Sequence, residues 1–323
     1  MTHTGILLTN TGTPTAPTRS AVRQYLREFL SDERIVQLPR LVWLPILFGI
    51  ILPFRTKRSA ALYKTIWQDK GSPLRFHMEA LANRLQQLLN QNKNEQYTVK
   101  VGMNYGEPSI ASALKALENA HIDTLITLPL FPQYSNTSTA GSHDRLMNTL
   151  ATWKALPHHF FIRDYAGNTA YIDALKNKLL THWQTHQKAE HLLLSFHGIP
   201  KRFVAKGDPY PLHCEKTAML LTEALGLKAH DWTLCYQSSF GYDKWLEPAT
   251  HELLKALPKR GIQSVDVCCP GFSVDCLETL EEIAIKGKDI FLQAGGQAFQ
   301  YCAALNDECD YLLPLINSYL ESL

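Results

Sequence analysis

Apolar, β-branched runs recur along the chain with helix-spaced segments between them. GILLTN (5–10), TVKVGMNY (98–105), TLITLPLF (124–131) and HFFIRDY (159–165) read as strands. HLLLSFH (191–197), WTLCYQS (232–238), SVDVCCP (264–270) and DIFLQAG (289–295) read as four more. Between them AVRQYLREFL, SIASALKALENA, AYIDALKNKLLTHW, KTAMLLTEALG and CLETLEEIA carry a helical period. The strands are near-continuous apolar runs, as in parallel sheets covered on both faces. Strand alternating with helix means βαβ units, so the pattern predicts an α/β protein with parallel sheets.

Eight strands divide into two sets of four, and a chain of 323 residues fits two domains of about 150 residues each. A boundary near Leu156-Pro157-His158 halves the chain. No clear sequence repeat relates the halves, so this division rests on counting elements. One segment departs from the pattern. LVWLPILFGIILPF (Leu41 to Phe54) is uncharged, yet shorter than the roughly 20 residues a membrane-spanning helix needs, and Pro45 and Pro53 interrupt it. Arg40 precedes it, and Arg55, Lys57 and Arg58 follow. Two readings stand: a buried core helix, or an exposed apolar lip that touches a membrane or a greasy ligand.

Composition narrows the function classes. The chain is 45% hydrophobic and 19% charged with a formal net charge of +2, and it has no dense basic run, so nucleic acid is not an expected partner. The seven cysteines are odd in number and include no C-x-x-C pair. The start, MTHTGILLTNTGTPT, has no basic n-region and no apolar run long enough for a signal peptide. Both observations predict a cytoplasmic protein with free thiols.

The motifs of common α/β enzymes are missing. No G-x-G-x-x-G follows a strand, and G-x-x-x-x-G-K-[ST], G-x-S-x-G and H-E-x-x-H do not occur. His182 and His186 lie four apart on a helix without a third ligand, which reads as a solvated face. What remains is at the carboxyl ends of the predicted strands, where ligands of such sheets collect. HLLLSFHGIP ends its strand in His197. CCPGFSVDCLETLEEIA ends a strand at Pro270-Gly271 and opens a helix near Asp275, which puts Asp275, Glu278 and Glu282 at i, i+3 and i+7, one face of an α-helix. Asp275 with Glu278 also fits a capping arrangement. A histidine with carboxylates suits a divalent first-row metal, and the same groups accept protons near neutral pH. Metal and proton handling beside an apolar lip suggest insertion of a metal into a hydrophobic macrocycle.

The markers NTGTP (10–14), KGSPL (70–74), LPLFPQYSNTST (128–139), LLLSFHGIP (192–200), YQSSFGYDKWLEP (236–248) and PGFSVDCLETLEEI (270–283) closely resemble the ferrochelatase family nearly end to end, in its bacterial form without a C-terminal extension. The resemblance implies two Rossmann-like domains, each a four-stranded parallel sheet flanked by helices, with a porphyrin in the cleft between them. It places 1–156 with 300–323 in the first domain and 157–299 in the second. It implies insertion of Fe2+ into protoporphyrin IX with release of two protons, the last step of haem synthesis. His197 and Glu278 match the essential histidine and glutamate that face the ring centre as base and metal ligands. Glu282 and Asp275 match a proton or metal relay, and Thr11, Tyr105, Trp245 and Phe272 match residues around the macrocycle. Residues 41–54 match the pocket lip, thought to meet the cytoplasmic membrane peripherally. No permanently bound cofactor and no iron–sulfur cluster are expected, and the chain is expected to be a monomer or weak dimer. Cys276 stands where some relatives have histidine, and Asn104 where many have arginine; Ile285 and Lys286 end the acidic ladder early. Alternatives are a chelatase for another tetrapyrrole or metal, coproporphyrin III among them, and a haem- or metal-binding carrier.

Overall fold

The computed structural model describes residues 2–91, 96–239 and 243–321 as two compact units. The first comprises 1–130, 136–163 and 307–323; the second comprises 131–135 and 164–306. Each is built on one four-stranded parallel sheet.

In the first unit the strands are β1 (His3–Gly12), β2 (Gln96–Tyr105), β3 (Thr124–Pro129) and β4 (His158–Phe161), in the order β2-β1-β3-β4. Ile6, Leu7 and Leu8 of the central β1 are all fully buried, as a strand covered on both faces requires. Leu7 and Leu125 share a core with the helices Ile110–Asn119 and Thr139–Leu150. Gly12 closes β1 at φ +106, where a Cβ would lie 1.9 Å from the Tyr105 carbonyl oxygen. Only glycine lets the two strand ends meet there.

The apolar segment 41–54 lies in a continuous helical stretch: an α-helix (Arg40–Ile46), a π-helical turn (Leu47–Ile51) and a second α-helix (Leu52–Ile66). The side chains divide. Leu47 and Leu52 are fully buried, whereas Leu41 is 92% and Phe54 77% exposed, and Val42, Phe48 and Ile50 are exposed as well. The buried-helix reading therefore fails for half of the segment, and an exposed apolar face is what the fold presents. Among the described residues no helix is long and apolar enough to cross a membrane.

The second unit repeats the topology: β5 (His191–His197), β6 (Trp232–Gln237), β7 (Ser264–Cys268) and β8 (Ala298–Cys302), in the order β6-β5-β7-β8. The repeat, invisible as sequence identity, extends to side chains. His3 Nε2 bonds Thr98 Oγ1 at 2.8 Å, and His191 Nε2 bonds Thr233 Oγ1 at 2.9 Å, each between an inner strand and its edge neighbour. In each unit a proline carbonyl, Pro108 or Pro248, accepts from the amide of a β2 or β6 residue, Met103 or Tyr236.

Two expectations are corrected. DIFLQAG is not a strand: Lys288–Gln293 is helical, with Phe291 fully buried but Leu292 38% exposed, and Gly295 at φ +100 ends it. The eighth strand is AFQYC, a run of only five residues that gives a weak signal despite Phe299 and Tyr301. The units also divide after Arg163 and Asn306, because β4 pairs with β3 and the chain from Asp307 onward returns to the first unit. There Tyr319 of the helix Leu312–Leu320 meets Phe160 edge-on, with ring centroids 6.0 Å apart.

Candidate active site at the carboxyl end of the second sheet

β5 is central, and its apolar run holds Leu193 and Leu194 fully buried. His197 is therefore delivered, half-buried, at the end of the most constrained strand of the unit. Its Nδ1 lies 2.7 Å from the carbonyl oxygen of Gly198. A carbonyl only accepts, so Nδ1 carries the proton of the neutral ring and Nε2 keeps its lone pair. The Phe272 ring stands 6.3 Å from the imidazole, tilted by 51°. Gly198 is wedged: its amide donates to the Gln237 carbonyl at 2.7 Å, and a Cβ would come within 2.8 Å of that oxygen and 3.3 Å of Trp245 Cε3. Trp245 is held there by an antiparallel bridge to Pro200.

The acidic helix is not α-helical where it matters. Residues Glu278–Gly287 form a π-helix, with bonds spanning five residues rather than four. Thr279, Ile283 and Gly287 are its buried side, and Ile283 shares the core of Leu193, Val265 and Val267. Packing thus fastens the helix to the sheet that carries His197. The wider turn breaks the expected i, i+3, i+7 stripe: Glu278 and Glu282 lie four apart on the helix, and Asp275 precedes it.

The two glutamates are half-buried. Glu278 sits beside Cys276, whose thiol is pushed well up, first by burial and then by the Glu278 carboxylate it bonds to. Cys276 is thus a protonated donor. The Glu282 carboxylate accepts from the Ser238 amide at 2.8 Å and from Ser238 Oγ at 2.5 Å. One residue earlier, buried Gln237 donates from Nε2 to the Glu278 carbonyl at 2.8 Å while its Oε1 accepts from Ser195 Oγ at 2.8 Å.

Asp275 has a different place from the one expected. It is 4% exposed. Oδ1 accepts from Tyr301 Oη at 2.5 Å and Thr279 Oγ1 at 2.9 Å, and Oδ2 from Asn306 Nδ2 at 2.8 Å. Thr279, not Glu278, completes the cap by accepting from the Cys276 amide. Burial and then the Asp275 charge push the Tyr301 phenol far up. Asp275 anchors the foot of the helix, and its oxygens are committed to that.

Thr11 and Tyr105 lie at the carboxyl end of the first unit's own sheet. Thr11 is half-buried, its amide bonded to Asn10 Oδ1. Tyr105 is 2% exposed, with the Phe29 ring edge-on at 5.1 Å and the Arg145 guanidinium 4.5 Å over its face. Its hydroxyl donates to Asp32 at 2.9 Å, and Arg145 Nη2 donates to the same oxygen at 2.8 Å. Burial opposes the Asp32 charge, but the Arg34 amide, Arg145 and Tyr105 outweigh it and hold the carboxyl below its usual range. Arg145 Nε also donates to the carbonyl of Asn104 at 2.7 Å, so a guanidinium reaches this position from a neighbouring helix.

Gln237, Ser238 and Arg145 escaped the sequence reading. For the first two a signal existed, two polar residues ending an apolar strand; for Arg145, inside a helix, there was none. Among the described residues no group of three or more His, Cys, Asp or Glu side chains gathers as a metal cluster, His182 and His186 included.

The family model for ferrochelatase matches residues 3–322. A ferrochelatase of Pseudoalteromonas atlantica is 45% identical over 311 residues, which cover 96% of this chain and 86% of that protein. One of Vibrio cholerae is 46% identical over 308 residues, covering 95% and 94%. Among solved structures, SirB from Bacillus subtilis with Fe3+ superposes with a TM-score of 0.55 at 10% identity, over 98% of this chain and 95% of that one. The sirohydrochlorin chelatase SirB of the subspecies spizizenii, in complex with cobalt, gives 0.53 at 9% identity, over 99% and 96%. These structures share the fold.

Proposed function

This chain belongs to the ferrochelatase family, and on that premise we propose how its second unit inserts Fe2+ into a porphyrin, with protoporphyrin IX as the substrate. A free porphyrin carries two central N–H protons, and its lone pairs lie in the ring plane. The ion reaches the ring nitrogens only when the ring puckers and both protons leave. Puckering is a matter of shape and draws on contacts remote from the reacting atoms. Phe272, beside His197, and Trp245, beside Gly198, are the apolar groups of this unit assigned to the ring.

Proton removal calls for a base with a free lone pair and a pKa near neutrality. The observation that carries the assignment is the His197 Nδ1 bond to the Gly198 carbonyl, which leaves Nε2 as the accepting atom. Glu278 is the partner carboxylate for the proton or for Fe2+, with Cys276 holding it from the side. Glu282 is the next carboxylate along the helix and passes Fe2+ or protons between Glu278 and solvent. Asp275 is left out of that path because its oxygens are already bonded.

The exposed apolar face of residues 41–54, flanked by Arg40, Arg55, Lys57 and Arg58, is proposed to rest on the anionic inner surface of the cell membrane, from which a water-insoluble porphyrin would arrive. The test is anaerobic incubation with Fe2+ and protoporphyrin IX or coproporphyrin III, followed in the visible spectrum beside His197→Ala and Glu278→Gln. Multiple turnover with protoporphyrin, lost in both variants, is expected. Turnover with coproporphyrin alone would change the substrate assignment, and binding without turnover would reduce the protein to a carrier.

A further inference from the structure

We propose that Ser238 is a positioning residue for iron insertion: it grips both oxygens of Glu282 and, with Gln237, holds the acidic π-helix in register with the strand of His197. The inference rests on the roles given above to His197, Glu278 and Glu282.

Gln237 is the register partner of His197 across β5 and β6, so Ser238 is the first residue past the strand beside the proposed base. Its φ is +65, a left-handed conformation that residues with a Cβ other than Asn and Asp rarely adopt. A serine persists there only if the surroundings compensate for it. The compensation is specific. In this conformation the amide and Oγ of one residue converge on Oε1 and Oε2 of one carboxylate, at 2.8 and 2.5 Å. Both bonds go to the two oxygens of a single carboxyl group.

Gln237 supplies the second point of attachment. It is 2% exposed, and its amide orientation is decided by its neighbours: Oε1 accepts from Ser195 and Cys269, and Nε2 donates to the Glu278 carbonyl. Two consecutive residues of one strand end therefore hold two points of the π-helix four residues apart, one through its backbone and one through its carboxylate. A helix with i→i+5 bonding has poorer intrinsic stability than an α-helix, so such external bonds bear on where its acids point. The consequence for the reaction is that Glu282 is presented to an arriving cation in one orientation, set by Ser238, instead of sampling several.

The test compares Ser238→Ala, Ser238→Gly, Glu282→Ala and the double variant S238A/E282A with the unmodified chain in steady-state turnover, alongside thermal unfolding. Alanine and glycine both lose the Oγ bond, but glycine is at ease at φ +65 and keeps the amide. A positioning role predicts that both raise the KM for Fe2+ by about tenfold and leave the porphyrin KM unchanged. Thermal stability should fall in the alanine variant and hold or rise in the glycine variant. In the double variant the serine change should add nothing to the loss caused by Glu282→Ala. Unaltered Fe2+ kinetics in Ser238→Gly, or losses that multiply in the double variant, would overturn the inference alone. Absence of turnover in the unmodified chain would overturn the functional reading and this inference with it.

Discussion

His197 turns Nδ1 to the carbonyl of the very next residue, Gly198, at 2.7 Å. The bond fixes both the tautomer and the plane of the imidazole, and its acceptor belongs to a residue whose own amide is held by the Gln237 carbonyl. Adding one methyl at Gly198 puts carbon 2.8 Å from that oxygen, so the peptide must move and the ring with it. Displacement of a catalytic group by about 1 Å costs on the order of 100-fold in rate. Gly198→Ala should therefore lower kcat by about that factor while the protein remains folded by circular dichroism. A variant with unchanged kcat would show that the orientation of His197 does not matter.

Asp275 and Glu282 should behave oppositely. Asp275→Ala takes the acceptor from the Tyr301 hydroxyl and the Asn306 side-chain amide, a loss of about 3 kcal/mol of stability. Glu282→Gln keeps shape and most contacts and should leave the unfolding midpoint almost unmoved while raising the KM for Fe2+. Chemical denaturation and iron kinetics on the same two proteins separate anchor from relay. Equal effects on stability would refute the separation.

Acid should weaken the fold before it protonates carboxylates. His159 and His191 are held below the usual imidazole range chiefly by burial, and so is His182, despite the opposing charge of Asp266. A base with a lowered folded pKa binds fewer protons folded than unfolded, so its contribution is intact above about pH 6.5 and drains away as pH falls below it. Urea midpoints should decline between about pH 6.5 and 5, and His191→Gln should flatten part of that slope. A midpoint independent of pH across this window would contradict the burial argument.

Tyr105 should matter to stability more than to porphyrin. Its ring is enclosed by Phe29 and Arg145, and its hydroxyl is spent on Asp32. Tyr105→Phe should cost about 1 kcal/mol in the unfolding free energy and leave the porphyrin KM where it was. A large rise in that KM would place the ring against the substrate after all.

Leu41 and Phe54, the two most exposed apolar side chains of the lip, should carry membrane contact. Each inserted side chain of this size is worth roughly 2 kcal/mol, so Leu41→Ser or Phe54→Ser should weaken partition onto anionic vesicles by at least about tenfold. Raising the salt should weaken it further by screening Arg55, Lys57 and Arg58. Failure of the unmodified chain to sediment with such vesicles at low salt would remove the proposal.

The sequence by itself determined the architecture and the proposed chemistry. Apolar runs bounded by turns locate seven of the eight strands, because a strand buried on both faces is predominantly apolar. His197 and Glu278 could be singled out because strand ends and the helix starts that follow them are local features, written in consecutive residues. What only the tertiary structure decided is everything that depends on pairs far apart in the chain. DIFLQAG has the composition of a strand but continues a helix, since its surroundings bury Phe291 and leave Leu292 outside. The acidic stripe assumed 3.6 residues per turn, but the helix is π-helical and is bonded by Gln237 and Ser238, some forty residues earlier. Asp275 reads as one more carboxylate in a ladder until Tyr301 and Asn306 arrive from beyond β7 to claim both of its oxygens. An uncharged run such as 41–54 is equally suited to a core or a surface, and only the packing around Leu47 and Leu52 decides which face is left to solvent. Hydrophobic pattern specifies which elements form, because it is summed over neighbours in sequence. The direction and partners of a polar side chain are set by neighbours in space.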